Sequence, residues 1–165
     1  MPNGNQFGIA QFRLSTPATA YHHLPHPPLE GTRGGISILK EKTLIVITGP
    51  TGVGKTEATL RIAEHFDVPV INADSRQIFS EIPIGTAAPT ADQRLRVRHY
   101  FVGNHHLEDY YSASLYEQDV LKLIDSLPSS IALLSGGSMM YIDAVCKGID
   151  DIPTILPHIR QEMKQ

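Results

Sequence analysis

The 165-residue sequence holds a single cysteine, Cys146. One thiol closes no intramolecular disulfide and builds no cysteine metal cluster. No apolar run approaches the ~20 residues that a membrane-spanning helix needs. The first residues lack the continuous apolar segment of a secretory signal. A basic excess is also absent, because 14 Lys and Arg stand against 17 Asp and Glu, for a formal net charge of −3. The chain as a whole therefore carries no electrostatic footprint for nucleic acid. These absences lead us to expect a cytoplasmic protein with no membrane contact. What remains is ordinary: 41% hydrophobic and 19% charged residues, enough for one domain with a proper core.

Residues 1–42 differ from the rest. They hold five of the twelve prolines and three of the eight histidines, and no helical or strand period survives in them. A disordered leader is expected there. His22, His23 and His26 read as part of a solvated tail rather than a metal site, since Glu30 is the only nearby carboxylate.

Residues 43–165 read as a P-loop α/β core. "TLIVIT" (Thr43 to Thr48), "VPVINA" (Val68 to Ala73) and "SIALLS" (Ser130 to Ser135) are short, apolar runs that suit buried parallel strands. "HYFVG" is read as a further strand or an extended loop. Helices are expected from Lys55 to about Phe66, over Ala91–Arg98, from Ser114 to Leu127 and from Ser138 to Lys147. The third is marked by a capping box, Ser114 with Glu117, and by the stripe Tyr116, Val120, Leu123, Ile124, Leu127. Gly148 would cap the fourth. Alternation of strand and helix implies a P-loop NTPase-like parallel sheet flanked by helices. The last residues start another helical pattern and stop, so a fragment, incomplete at its C-terminus, is expected.

"GPTGVGKT" comprises Gly49, Pro50, Thr51, Gly52, Val53, Gly54, Lys55 and Thr56. It fits G-x-x-x-x-G-K-[ST] between a predicted strand and a predicted helix. Glycines let the backbone approach an anion, and the helix N-terminus supplies N–H donors. Lys55 adds a point charge, and the Thr56 hydroxyl suits Mg²⁺. The motif selects a pyrophosphate-like group and leaves three reactions open: phosphoryl transfer, NTP hydrolysis, or loss of pyrophosphate as a leaving group. The strand ending "ALLSGGS" offers no metal-binding carboxylate, which disfavours an NTPase. "INADSRQIF" instead places Asp74 at the carboxyl end of a strand, where α/β sheets bind ligands.

Three segments, "GPTGVGKT", "NADSRQIF…IGTAAPT" and "LLSGGSMMYIDAVCKGIDDIP", together resemble the N-terminal half of the tRNA dimethylallyltransferases. The likeness runs from about Leu44 to Pro153. It implies that dimethylallyl diphosphate lies in the Gly49–Thr56 loop with Mg²⁺, and that the acceptor is N6 of the adenine beside the tRNA anticodon, flipped from its stack. It also implies Asp74 as general base, Lys55 and Ser138 as further catalytic groups, and Asp74, Ser75, Arg76, Gln77 and Ser138 as tRNA contacts. Other histidines, among them His99, His105 and His106, read as surface residues. A monomer is expected. Two other readings remain beside this one. A small-molecule P-loop kinase shares the loop and an acid after the second strand, but a kinase lid needs several arginines and only Arg160 follows Gly137; a related variant would prenylate free adenine nucleotides instead of tRNA. A truncated phosphate-binding protein without catalysis is the third.

Overall fold

A computed structural model describes residues 8–15, 41–50, 52–83 and 85–149. Among them lie β1 (Gly8–Ser15), β2 (Glu41–Thr48), α1 (Lys55–Phe66), β3 (Val70–Asn72), α2 (Ala91–Arg96), β4 (His99–Tyr100), α3 (Ala113–Ser126), β5 (Ile131–Gly136) and α4 (Met139–Lys147). The strands form one sheet in the order β1-β2-β5-β3-β4. β2 runs parallel to β5, from Thr43 opposite Ile131 to Thr48 opposite Gly136. β3 is parallel to both β5 and β4. The three apolar runs expected as parallel strands are thus parallel, with "SIALLS" beside "TLIVIT".

Helices cover both faces of the sheet. Leu44 and Val46 of β2 meet α3 and α4 through Tyr116, Val120, Ile142 and Val145. On the opposite face Ile47 of β2 and Leu133 of β5 meet Leu60 and Ala63 of α1. A strand buried on both sides gains nothing from polar alternation, which is why these runs are continuously apolar. No helix among the described residues is long and apolar enough to cross a membrane.

Two expectations need correction. Gly8–Ser15 is not a disordered leader but strand β1, antiparallel to β2, with Gly8 opposite Thr48 and Ser15 opposite Glu41. The sheet is therefore mixed, not wholly parallel. Phe12 and Leu14 of β1 are half-buried against the core, whereas Gln11 and Arg13 are exposed. That alternation is only two apolar residues deep, too short to register as a period. Lys42, also assigned to the leader, is buried and donates from Nζ to the carbonyls of Ile124 and, at 2.6 Å, Leu127. A cation there satisfies carbonyls that the end of α3 leaves without helical partners. Residues 1–7 and 16–40, His22, His23 and His26 included, lie outside the described residues, as does 150–165.

The second correction concerns α3. It starts at Ala113, and its N-cap is Ser112, whose hydroxyl accepts from Leu115 N at 3.3 Å. Ser114 lies inside the helix, and Glu117 accepts from Ile149 N at 3.2 Å, so the two form no capping box. The apolar stripe holds: Tyr116, Val120 and Ile124 are fully buried.

Candidate active site

The sequence places its glycines where the backbone turns out of β2. Gly52 and Gly54 have φ of 87° and 89°, values that a side chain strains, and Gly54 is the N-cap of α1. The loop thus delivers the start of α1, with Lys55 and Thr56 in its first turn, to the carboxyl edge of the sheet. First-turn N–H groups lack intrahelical acceptors and suit an anion. Lys55 Nζ donates to Pro50 O of the same loop at 2.6 Å. Thr51 lies outside the described residues.

The facing wall comes from the ends of β3 and β5, which approach unusually closely. A Cβ at Gly136 would stand 2.2 Å from Ala73 O, so only glycine fits. Ala73 N donates to Ser135 O at 2.8 Å, and Ser138 N donates to Ala73 O at 3.0 Å. The Ser138 hydroxyl accepts from Ser75 N at 2.8 Å and donates to the Ser75 hydroxyl at 3.0 Å. It therefore does not cap its own helix α4. Instead it ties the segment after β3 to the start of α4. Asp74 sits at the head of that segment, and its Oδ1 accepts from Arg76 N at 3.0 Å. One carboxylate oxygen is held by the backbone turn.

Between loop and wall lies a cavity of about 370 Å³. Of the residues expected from sequence, Gly52, Gly54, Lys55, Thr56, Asp74 and Gln77 line it. Ser75 and Ser138, bonded to each other, do not line the cavity, and Arg76 is exposed outside it. Sequence reasoning missed several lining residues. Thr59 on α1 and Ser135 on β5 share a hydrogen bond of 2.8 Å. Buried Asn72 of β3 also lines the cavity; its Nδ2 donates to Phe101 O at 2.9 Å and its carbonyl accepts from the Tyr116 hydroxyl at 2.8 Å. A polar residue within an otherwise apolar buried strand, as in "VIN" and "LLSGG", was the available signal.

His99 needs correction as well, because it is half-buried and lines the cavity rather than the surface. Its Nδ1 lies 2.8 Å from Val97 O. A carbonyl only accepts, so Nδ1 carries the proton. Burial holds His99 below the usual histidine range, helped by the charge of Arg94, against the opposing effect of that hydrogen bond. His106 is exposed as expected and moves the other way, raised first by its 2.8 Å contact with Glu81. His105 is half-buried against the Tyr111 ring.

The remaining elements of this wall are pinned from within. Gln77 Nε2 donates to Thr86 O at 3.0 Å and Ala87 O at 3.3 Å, fixing the turn that carries Ala87 at φ 52°. Among the described residues no group of three or more His, Cys, Asp or Glu side chains is arranged to hold a metal ion. The cavity thus offers, among the described residues, a glycine loop with Lys55 and a single carboxylate, Asp74.

The family described as IPP transferase matches residues 77–165, more than half of the chain. A tRNA dimethylallyltransferase of Parabacteroides distasonis is 57% identical over 123 residues, covering 73% of this chain and 41% of the relative. One from Porphyromonas gingivalis is 59% identical over 126 residues, covering 75% and 42%. The full-length tRNA isopentenylpyrophosphate transferase of Bacillus halodurans superposes with a TM-score of 0.61 at 26% identity, covering 72% of this chain and 40% of that one. The chain spans about two fifths of the length of the curated relatives it matches. The chain belongs to the IPP transferase family, whose model matches residues 77–165.

Proposed function

We propose that this chain carries the diphosphate-binding and base-bearing part of a tRNA prenyltransferase. The reaction moves a dimethylallyl group from dimethylallyl diphosphate to N6 of the adenine beside the tRNA anticodon. One observation carries the reading: Lys55, Thr56 and Asp74 line a single cavity, with the cation loop facing the carboxylate. A kinase also uses a carboxylate beside its phosphate loop, to take the proton of the acceptor hydroxyl; likeness to the tRNA dimethylallyltransferases is what favours prenyl transfer here.

The chemistry balances on these groups. The N6 lone pair forms the new C–N bond at the allylic carbon as the C–O bond to the diphosphate breaks. The electron pair of that bond leaves on the diphosphate, where Lys55 and the start of α1 stabilise the growing charge. N6 becomes cationic and transfers a proton to Asp74, whose free oxygen is the acceptor. The backbone N–H of Arg76 holds the other Asp74 oxygen, and Gln77 steadies the turn at Thr86 and Ala87.

Mg²⁺ suits this donor set. It keeps several waters and binds through one or two protein oxygens plus substrate phosphates, so the Thr56 hydroxyl fits where an all-protein cage is not arranged. When bound, it would neutralise charge on the leaving diphosphate. The reading also assigns the protein to the cytoplasm, as a monomer that takes tRNA as its partner.

Thermal protection tests the ligand choice. Pyrophosphate and dimethylallyl diphosphate, each with Mg²⁺, should raise the unfolding midpoint at least as much as ATP does. Ligand at a hundredfold excess over Kd stabilises by ~2.7 kcal/mol. A marked preference for ATP, with phosphoryl transfer to a small acceptor, would replace this reading with a kinase.

A further inference from the structure

A second groove, about 520 Å³, backs onto the candidate active site. Gln77, Ala87 and Pro89 line both cavities, so one thin wall separates them. The groove's own surfaces include the Phe79 ring, Pro83, Val102 and Arg94. Among the described residues no carboxylate lines it. Its size falls within the ~300–1,000 Å³ common for small-molecule sites.

The groove is built in advance. Gln77 fixes the dividing wall through Thr86 O and Ala87 O. The floor is fixed from the neighbouring loop: Gly103 N donates to Gln77 O at 2.9 Å, and Asn104 N and His105 N each donate to Ile78 O at 3.0 Å. Phe79 pairs with His105 in a parallel bridge.

We propose that this groove receives the nucleobase adjacent in sequence to the adenine that enters the active-site cavity. The proposal rests on the tRNA reading above. Three observations favour RNA over a peptide. The groove continues the first cavity across a shared wall, as successive nucleotides of one splayed strand would require. An aromatic ring and proline faces suit base stacking, which is how single-stranded RNA is commonly held. Arg94 is the only ionisable group among the described residues lining it, and it complements a phosphate or stacks on a base.

The test uses a labelled RNA pentamer with a central adenosine and the 165-residue chain, followed by fluorescence anisotropy. Removing the base next to the central adenosine, on one side, should weaken binding on the order of tenfold, the scale of one stacked base. Ala88→Trp fills the groove, since Ala88 lines this cavity and not the first. It should bind the intact pentamer as weakly as the wild type binds the abasic one, with no further loss from the missing base. Arg94→Ala should weaken binding and reduce its salt dependence. Unchanged protection by pyrophosphate would confirm that both variants are folded. If neither flanking abasic site matters, or Ala88→Trp binds like wild type, the groove proposal is overturned while the active-site reading stands. If the central base is also dispensable, that reading fails too. No binding of the pentamer overturns the groove and leaves diphosphate protection as the separate check on the first cavity.

Discussion

Asp74 and Lys55 line one cavity, and the proposed reaction assigns them different bonds, so their variants should differ accordingly. In a prenyl-transfer assay, Asp74→Ala should lower kcat by ~10²–10⁴, the usual contribution of a positioned base, with little change in diphosphate binding. The contact strengthens only as N6 becomes cationic. Lys55→Ala removes charge from the diphosphate in both ground and transition states, so KM for the diphosphate should rise as kcat falls. Steady-state kinetics with each substrate varied separately would distinguish the two. An Asp74→Ala variant with a raised diphosphate KM and intact kcat would mark Asp74 as a binding ligand. The place of Ser138 in "GGSMMY" implies a substrate contact; its hydroxyl is engaged twice by Ser75 and links the segment after β3 to the start of α4.

At the scale of elements, α3 shows local sequence and tertiary context competing. Ser114 and Glu117 have the spacing of a capping box, but the helix starts two residues earlier than that box would set it, at Ala113. The start is fixed by burial: Tyr116 must face the sheet, where its hydroxyl reaches Asn72 O at 2.8 Å and its ring stacks on Tyr141 at 4.2 Å. Ser112 then falls at the N-cap. Ser112→Ala should cost about 0.5–1 kcal/mol in urea unfolding, the low end for a lost cap. Ser114→Ala, inside the helix and exposed, should stay within ~0.5 kcal/mol. The reverse ranking would restore the capping box. α2 behaves otherwise. Thr90 and Gln93 make a complete capping box, and Arg96 anchors the helix to α1 through Glu57 and Glu64. These ion pairs are exposed, so they orient α2 more than they stabilise it.

For the whole molecule, the consequential finding is β1. It closes the edge of β2 that β5 leaves open, and so protects a buried strand from edge pairing. Removing residues 1–15 should expose that edge and the surface under Phe12 and Leu14. We expect a loss of more than ~1–2 kcal/mol, judged against ~25 cal/mol per Å² of apolar burial, together with a rise in self-association. Urea unfolding and sedimentation would read both effects. A truncated chain as stable and as monodisperse as the parent would show that β1 only rests on the sheet.

The sequence by itself determined the parts whose signal is local. The loop between β2 and α1 was legible because the glycines, lysine and threonine that suit one anion fall within eight residues, from Gly49 to Thr56. The parallel strands were legible because burial on both faces leaves an unbroken apolar run. Asp74 was legible from its place at a strand end and from the resemblance of its surroundings. Only the tertiary structure decided what depends on residues distant in sequence. Asn72, His99 and Ser135 become cavity walls because β3, β4 and β5 end side by side, and no local pattern records that meeting. Gly136 is required because Ala73 O, 63 residues away, occupies the space of its Cβ. β1 gains its strand from the open edge of β2, since two half-buried side chains are too few to specify one alone.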